Sequence, residues 1–500
     1  MRTKLIVIGL DGATLKIIEP LVKAGHLPNI QKIFENGVHG VLHSCIPPIS
    51  CPSWLCYSTG KNPEKLNFYG WWTLDRTKHD IYFNDYTRVK EPEIWDYLGD
   101  NGIKCGVMNF PVHFPPRKIN GLMICGMQAS ETQEYTYPSE LKNELKEKFD
   151  YYIEPRHRLR LDPEKAFEEL KELFKLRFKV AQWMLDKVDF LNFVIFRIDE
   201  VSHEKYHHKE IVKEAWQVVD EEIGKFLDLG INVLFNSDHG FGPVNKAFSI
   251  NKWFEDNNYL ATKNNKLGKA MKIVGLNRDR LEKFATKHDL LPLLKKVTPE
   301  FVQKSVLEID GTTSNQRMES MIDWERTKAF VADAYGVYLF DDSIKEKLIS
   351  EIASIKDLET GEHVMEWVRD AQEIYGRKTK EMPDIIYYPK EGTRVITQLG
   401  GEGQWVQQGW EGDHRDEGII MAYGPDFRQG LRIESNIVDL PPTILFMMDV
   451  PIPKDMDGKV LTEIFKEESK CLKNQPKYQG ASEERRLTSA VKSLKFKGKV

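Results

Sequence analysis

The chain is 500 residues long, with 71 Lys and Arg against 76 Asp and Glu and a formal net charge of −5 at pH 7. At 41% hydrophobic and 29% charged it has an ordinary globular balance, which argues against a disordered chain, a nucleic-acid coat or a polytopic membrane protein. The longest apolar runs, Leu5 to Leu10 and Phe190 to Phe196, fall far short of the roughly 18 residues that span a bilayer, so no membrane span is expected.

In chain order, β-branched runs predict strands over Lys4–Leu10, Ile103–Phe110, Met123–Met127, Phe190–Ile198, Ile231–Asn236, Lys328–Phe340, Asp384–Tyr388 and Gly418–Tyr423. Amphipathic stretches between them predict helices over Leu15–Ala24, Ile94–Asn101, Pro163–Lys187 and Ile211–Leu227. This alternation is that of a mostly parallel α/β sheet flanked by helices. From about Tyr259 to Ile322 only helical periodicity remains, broken by Pro292 and Pro299, which reads as an inserted cap. Between Ala261 and Lys304 it holds 11 Lys and Arg against four acids, either a solvated helical face or a surface that attracts an anion. The expected organisation is a core over 1–258 and 323–466, a basic helical cap over 259–322, and a charged tail over 467–500 with a short helix at Leu487–Leu494. No cleavage site follows Leu5–Leu10, and the cysteines at 45, 51, 56, 105, 125 and 471 include no CxxC pair. A reduced, cytoplasmic enzyme is therefore expected.

Ligands of an open α/β sheet bind beyond the carboxyl ends of its strands. Asp11 follows the first predicted strand, Asp199 and His203 follow the fourth, and Asp238 and His239 follow the fifth, while His414 stands just before the last. Singly, each has a bland reading: an Asp after a strand often caps a helix, residues at i and i+4 share a face in any helix, and a lone His is usually structural. Together, three Asp and three His on one rim suit two divalent ions with nitrogen and oxygen ligands. Ser50, in Cys45-Ile-Pro-Pro-Ile-Ser-Cys-Pro-Ser-Trp54, precedes a short apolar helix expected at Trp54–Ser58. Its hydroxyl would stand at a helix N-terminus that favours an anion, or would merely cap that helix.

The segments VIGLDGAT, PPISCPSW…TGKNPEK, IWDYLGDNGIKCGVMNFPVHFPP, FRIDEVSH, SDHGFGP, GDHRDEGIIMAYGP and DMDGKVLTEIF occur in one order over nearly the whole chain. The set resembles the type I phosphodiesterase and nucleotide pyrophosphatase family of the alkaline phosphatase superfamily, in its prokaryotic cytoplasmic branch. The resemblance implies an alkaline-phosphatase-like α/β fold and a two-metal phosphoesterase, with Zn²⁺ the first expectation and Mn²⁺ the second. It places the nucleophile at Ser50, one ion on Asp11, Asp238, His239 and the Ser50 oxygen, and the other on Asp199, His203 and His414. Ser53 falls where nucleotide pyrophosphatases carry an Asn that donates to a phosphate oxygen. The implied reaction is in-line attack by Ser50 on a small anionic phosphoester, with ions about 4 Å apart, and hydrolysis of the resulting phosphoseryl ester.

Other readings compete. Ser50-Cys-Pro-Ser53 also opens a sulfatase pattern, but the Arg expected four places on is Trp54. A phosphomonoesterase would clamp the extra charge with an Arg, and none adjoins Ser50, which favours a diester. A phosphoglycerate-mutase-like enzyme would carry its insertion before the later ligands rather than after them. A metal-stabilised binding module without turnover would tolerate loss of a ligand. Tyr57, Phe68, Tyr69, Trp71, Trp72, Tyr82, Phe83 and Tyr86 are either core or a stacking surface for a base. His113, His207 and His208 have no role in this reading, and no nucleic-acid polymer is an expected partner.

Overall fold

The computed structural model describes residues 2–263, 321–399, 403–406 and 409–481. Its centre is a nine-stranded sheet in the order Leu431–Asn436, Val38–His43, Glu417–Tyr423, Asn232–Asn236, Leu5–Leu10, Phe190–Ile195, Cys105–Met108, Gly121–Ile124 and Thr136–Tyr137. The strand Leu5–Leu10 is buried along its whole length and pairs in parallel with Phe190–Ile195 on one side and Asn232–Asn236 on the other. A continuous apolar run is what a central parallel strand covered on both faces requires. Glu417–Tyr423 runs antiparallel to Asn232–Asn236, so it begins at the rim where its parallel neighbours end. Two sets of helices flank the sheet: Pro28–Asn36, Pro163–Met184 and Lys209–Leu227 pack together, as do Ser50–Thr59, Ile94–Asp100 and Leu440–Met447. Among the described residues no helix is long and apolar enough to cross a membrane.

Seven of the eight expected strands form close to their expected bounds. The eighth, Lys328–Phe340, is two short antiparallel strands, Ala329–Phe330 and Gly336–Leu339. Its centre turns at Asp333 to Tyr335, where Tyr335 adopts a positive φ of 74°. Three strands of the central sheet escape sequence reading, one of them the two-residue Thr136–Tyr137. Val38–His43 alternates buried and half-buried residues, with Gly40 and two His diluting the apolar signal, and Leu431–Asn436 carries the charges typical of a protected edge.

The unity of the core also differs from expectation. Residues from Phe248 to Val395, joined by Leu74 and Ile81, gather a second hydrophobic cluster around the antiparallel sheet Ala329–Phe330, Gly336–Leu339, Ile385–Pro389 and Met365–Asp370. Tyr259 and Leu260, assigned above to the cap, are buried in that cluster. The insertion leaves and returns at one place, because Thr262 bridges Ile322 and Lys263 N–H donates to the Met321 carbonyl at 2.7 Å. The basic stretch itself, at 264–320, lies outside the described residues, as does the expected helix Leu487–Leu494.

The ten-residue strand Gly240–Ser249 links the two parts. Its first half pairs with Gly412–Arg415 and its second with Gly392–Ile396 and Trp405–Val406. The register sets Phe241 opposite His414, which brings residue 414 beside residue 239.

Candidate active site

Asp11 lies just past Leu5–Leu10 and Asp238 and His239 just past Asn232–Asn236, so two adjacent parallel strands deliver them to one point. Asp199 and His203 stand one turn apart on the helix Ile198–Lys205, and His414 reaches them from Gly412–Arg415. Two groups result, Asp11, Asp238 and His239 in one and Asp199, His203 and His414 in the other. Within each group one ligand atom per residue lies within 4.8 Å of the others. The groups touch, since the His239 and His414 rings stack with centroids 3.7 Å apart.

Backbone carbonyls orient all three imidazoles. Nδ1 of His203 donates to Gly412 at 2.9 Å, that of His239 to Gly240 at 3.1 Å, and that of His414 to Pro48 at 3.1 Å. A carbonyl only accepts, so Nδ1 carries the hydrogen and each Nε2 presents a lone pair to the cluster. Nε2 of His203 and of His414 then face each other at 2.9 Å. Two lone pairs at that distance require a cation or a proton between them. The carboxylates tell the same story: Asp11 Oδ1, Asp199 Oδ1 and Asp238 Oδ2 are buried without a hydrogen-bond partner. Their other oxygens are engaged where partners exist, Asp11 Oδ2 accepting from Trp54 Nε1 at 2.7 Å and Asp238 Oδ1 from Gly12 N–H at 3.1 Å. Buried acceptors left open toward a common point fit cation ligands.

Ser50 is the first residue of the helix Ser50–Thr59, is 3% exposed, and places Oγ 3.1 Å from His239 Nε2. The helix is capped at Ile49 without a side-chain hydrogen bond, so Ser50 is not used as a cap. Cys51, the neighbouring alternative nucleophile, is fully buried, and burial pushes its thiol well up, away from the thiolate. The buried Ser53 hydroxyl sits 3.3 Å from Cys45 Sγ and 2.9 Å from Ser44 Oγ, which donates to the Asp238 carbonyl at 2.6 Å. His113 is buried against Glu93 at 2.6 Å, and His207 and His208 contact the Val244 carbonyl and Glu411, so none of the three joins the cluster.

A sequence profile of the type I phosphodiesterase / nucleotide pyrophosphatase family matches residues 5–415. The chain belongs to that family. It is a phosphoester-hydrolysing enzyme, and its mixed α/β architecture is the alkaline-phosphatase-like fold expected of the family. A search of curated proteins found no match to this sequence. Among solved structures, phosphonoacetate hydrolase from Sinorhizobium meliloti 1021, in complex with phosphonoformate, is 13% identical with a TM-score of 0.58, covering 88% of this chain and 94% of that one. Human ectonucleotide pyrophosphatase / phosphodiesterase 5 is 12% identical with a TM-score of 0.53, covering 93% of this chain and all of that one. An inactive form of the murine protein, in complex with AMP, matches with a TM-score of 0.54 at 12% identity.

Several residues of this phosphodiesterase-family site carry no sequence signal. Trp54 stood out only as the absence of a sulfatase Arg, yet its indole holds Asp11. Gly12 has a positive φ of 67°, and a Cβ there would meet the Phe241 ring at 2.8 Å and Asp199 Oδ1 at 3.0 Å. Trp410 lies against His203 with ring centroids 4.1 Å apart, and Arg394 covers Trp410.

Burial dominates the titration of the cluster. It pushes Asp199 up to about 7 and Asp238 up to about 6, the latter also through the charge of Asp199, and it raises Asp11 together with the charges of Asp238 and Asp199. Burial lowers His203 and His239 and holds His414 down at about 4, so the imidazoles stay neutral ligands at physiological pH. A cation must therefore displace protons from raised carboxyls but not from the imidazoles. Affinity of the metal-free protein for Mn²⁺ at the set of Asp199, His203 and His414 is expected to hold above pH 7 and to fall about tenfold per pH unit below it, as one proton competes at Asp199. A competition titration from pH 8 to 5.5 checks this; a flat profile would contradict ligation by these carboxylates.

Proposed function

We propose that the enzyme hydrolyses phosphodiesters through Ser50, with one divalent ion held by Asp11, Asp238, His239 and the Ser50 oxygen and another by Asp199, His203 and His414. The observation that carries this reading is the convergence of three open carboxylate oxygens and three oriented Nε2 atoms on the buried Ser50 hydroxyl. Ions bound there would lower the pKa of that hydroxyl and stabilise charge on the attacking and leaving oxygens. Three imidazoles favour Zn²⁺, and the three carboxylates also suit Mn²⁺.

Ser50 Oγ attacks phosphorus, the bond to the leaving oxygen breaks, and the departing alcohol takes up a proton. Water then attacks the phosphoseryl ester and returns the Ser50 oxygen. Ser50 stands at the N-terminal end of Ser50–Thr59, whose dipole would favour an anionic phosphoryl group there, and Pro52 in its first turn has no N–H to leave unpaired. Trp54 fixes Asp11, and Gly12 N–H fixes Asp238, so the first set of ligands is oriented before substrate arrives.

The support for the diester reading over the monoester or mutase readings is a neighbouring cleft of 1120 Å³, whose lining includes Trp410 but neither Ser50 nor the six cluster residues. It is lined by Trp71, Trp72 and Phe83 on one side and reaches Trp410 beside His203. That space suits a second ester group, which a monoester lacks. The other aromatics near the nucleophile are spent elsewhere: Tyr57, Phe68, Tyr69 and Tyr86 are buried, and Tyr82 lies under Arg88. The test is a parallel assay of bis-p-nitrophenyl phosphate, p-nitrophenyl phosphate and p-nitrophenyl sulfate. Diester kcat/KM is expected to exceed that for the monoester by about tenfold or more, a difference of about 1.4 kcal/mol in transition-state binding, with no sulfate turnover. A monoester preference would replace the diester reading, and sulfate turnover would return the sulfatase reading.

A further inference from the structure

The geometry points to Arg394 as a positioning residue for the second ligand set, acting through Trp410 and Asp413; the inference rests on the two-ion site proposed above. Arg394 lies on the strand Gly392–Ile396, where it is level with Ala247. Its guanidinium carbon sits 3.2 Å from the centre of the Trp410 ring, and its Nε is 3.7 Å from Asp413 Oδ2. Each of those two partners bears on a different imidazole. The Trp410 ring packs on His203 at 4.1 Å and 48°, and Asp413 precedes His414, whose backbone N–H it accepts at 3.0 Å. One cation thus braces both histidines of the set, while the first set is braced by Trp54 and Gly12.

The brace adds to the other contacts of the buried His203 ring, which include the His414 ring at 4.8 Å and Asp199 Oδ2 at 3.3 Å from Nε2. Nδ1 is held by the Gly412 carbonyl, and the edge of Phe241 lies 4.7 Å from the ring. The single hydrogen bond at Nδ1 does not by itself fix rotation about the Cβ–Cγ bond. The indole, tilted at 48° against the ring, restricts that rotation, and it is itself fixed by a guanidinium that is only 18% exposed, where cation–π contact is little screened. The main chain is anchored at the same place, Glu411 N–H donating to the His203 carbonyl at 2.7 Å.

Charge alone predicts the opposite behaviour. A guanidinium beside a cation site repels the cation, so if Arg394 acted only by its field, its removal would tighten the second ion. If Arg394 merely paired with Asp413, Lys would replace it fully. A positioning role needs the planar face over the indole, which Lys cannot supply.

The experiment is calorimetric titration of metal-free full-length protein with Mn²⁺, comparing wild type with Arg394→Met, Arg394→Lys, Trp410→Ala and the Arg394→Met/Trp410→Ala pair. A His414→Ala control, retaining only the first ion, assigns the two binding events. Arg394→Met is expected to weaken the second ion by about 10- to 100-fold and leave the first unchanged. Trp410→Ala should match it, the pair should lose no more than either single change, and Arg394→Lys should recover only part of the loss. The visible spectrum of the Co²⁺ form should change in Arg394→Met at the second site alone. Unchanged or tighter binding of the second ion, full rescue by Lys, or equal weakening of both ions would each overturn the inference. A wild-type protein that binds fewer than two ions would overturn the two-ion reading itself, an outcome visible before any variant is compared.

Discussion

Ser50→Ala is expected to reduce hydrolysis of bis-p-nitrophenyl phosphate by about 10³-fold or more while both ions remain bound. The magnitude follows from what is lost. Ser50 Oγ is the one hydroxyl within hydrogen-bond distance of a histidine of the cluster among the described contacts, at 3.1 Å from His239 Nε2. No neighbour can take its place: Cys51 is a buried thiol held in its protonated form, and the Ser53 hydroxyl faces Ser44 and Cys45. The substitution should also be benign for the fold, because Ser50 caps nothing and removing a buried hydroxyl leaves only His239 Nε2 without this contact. Retained ion content with lost turnover separates a nucleophile from a ligand that merely completes the site. A rate near wild type would move the nucleophile elsewhere.

The second large effect is expected on removing a ligand from either set. Asp238→Asn keeps the shape of the side chain and an oxygen for Gly12 N–H but discards the charge, and should lose the ion of the first set. His414→Ala should lose the ion of the second set. Each should lower turnover by about 10²-fold or more, with the complementary ion still measurable by elemental analysis. The metal-free forms of the two variants should differ in stability. Asp238 and Asp199 both raise the pKa of buried Asp11, and Asp199 raises that of Asp238, so Asp238→Asn relieves repulsion in the absence of a cation. His414→Ala removes a ring stacked on His239 and opens a gap. Thermal melts in chelator should therefore rank Asp238→Asn at or above wild type and His414→Ala below it. The reverse order would argue that these carboxylates serve stability rather than cation binding.

The residues of the two clusters were legible because each is local to a strong signal. Asp11, Asp199 and Asp238 follow runs of β-branched and apolar residues, and a parallel sheet necessarily collects whatever stands at the carboxyl ends of such runs. Asp199 and His203 were legible as a pair because four residues is one helical turn, although the strand before them ends at Ile195 rather than Ile198. The supporting residues were not legible because nothing local marks them. Trp54 meets Asp11 across 43 residues, and Trp410 and Arg394 come to His203 only because Gly240–Ser249 pairs with both Gly412–Arg415 and Gly392–Ile396. A ladder between distant strands leaves no periodicity at either partner. The same reason hid the second hydrophobic cluster, whose members run from Leu74 to Val395 and whose strands are only two to six residues long. Ser53 entered only through the family resemblance; its hydroxyl contacts Ser44, while that of Ser50 contacts His239.

The central claim is that turnover depends on two ions held by these six side chains and Ser50. It is tested most directly by counting divalent ions per chain while they are withdrawn by chelator and then restored, with diester hydrolysis followed on the same samples. Two ions per chain, loss of activity in step with their removal, and recovery on adding Zn²⁺ or Mn²⁺ are the expected results. Full diesterase activity in a protein stripped to well under one ion per chain would contradict the claim.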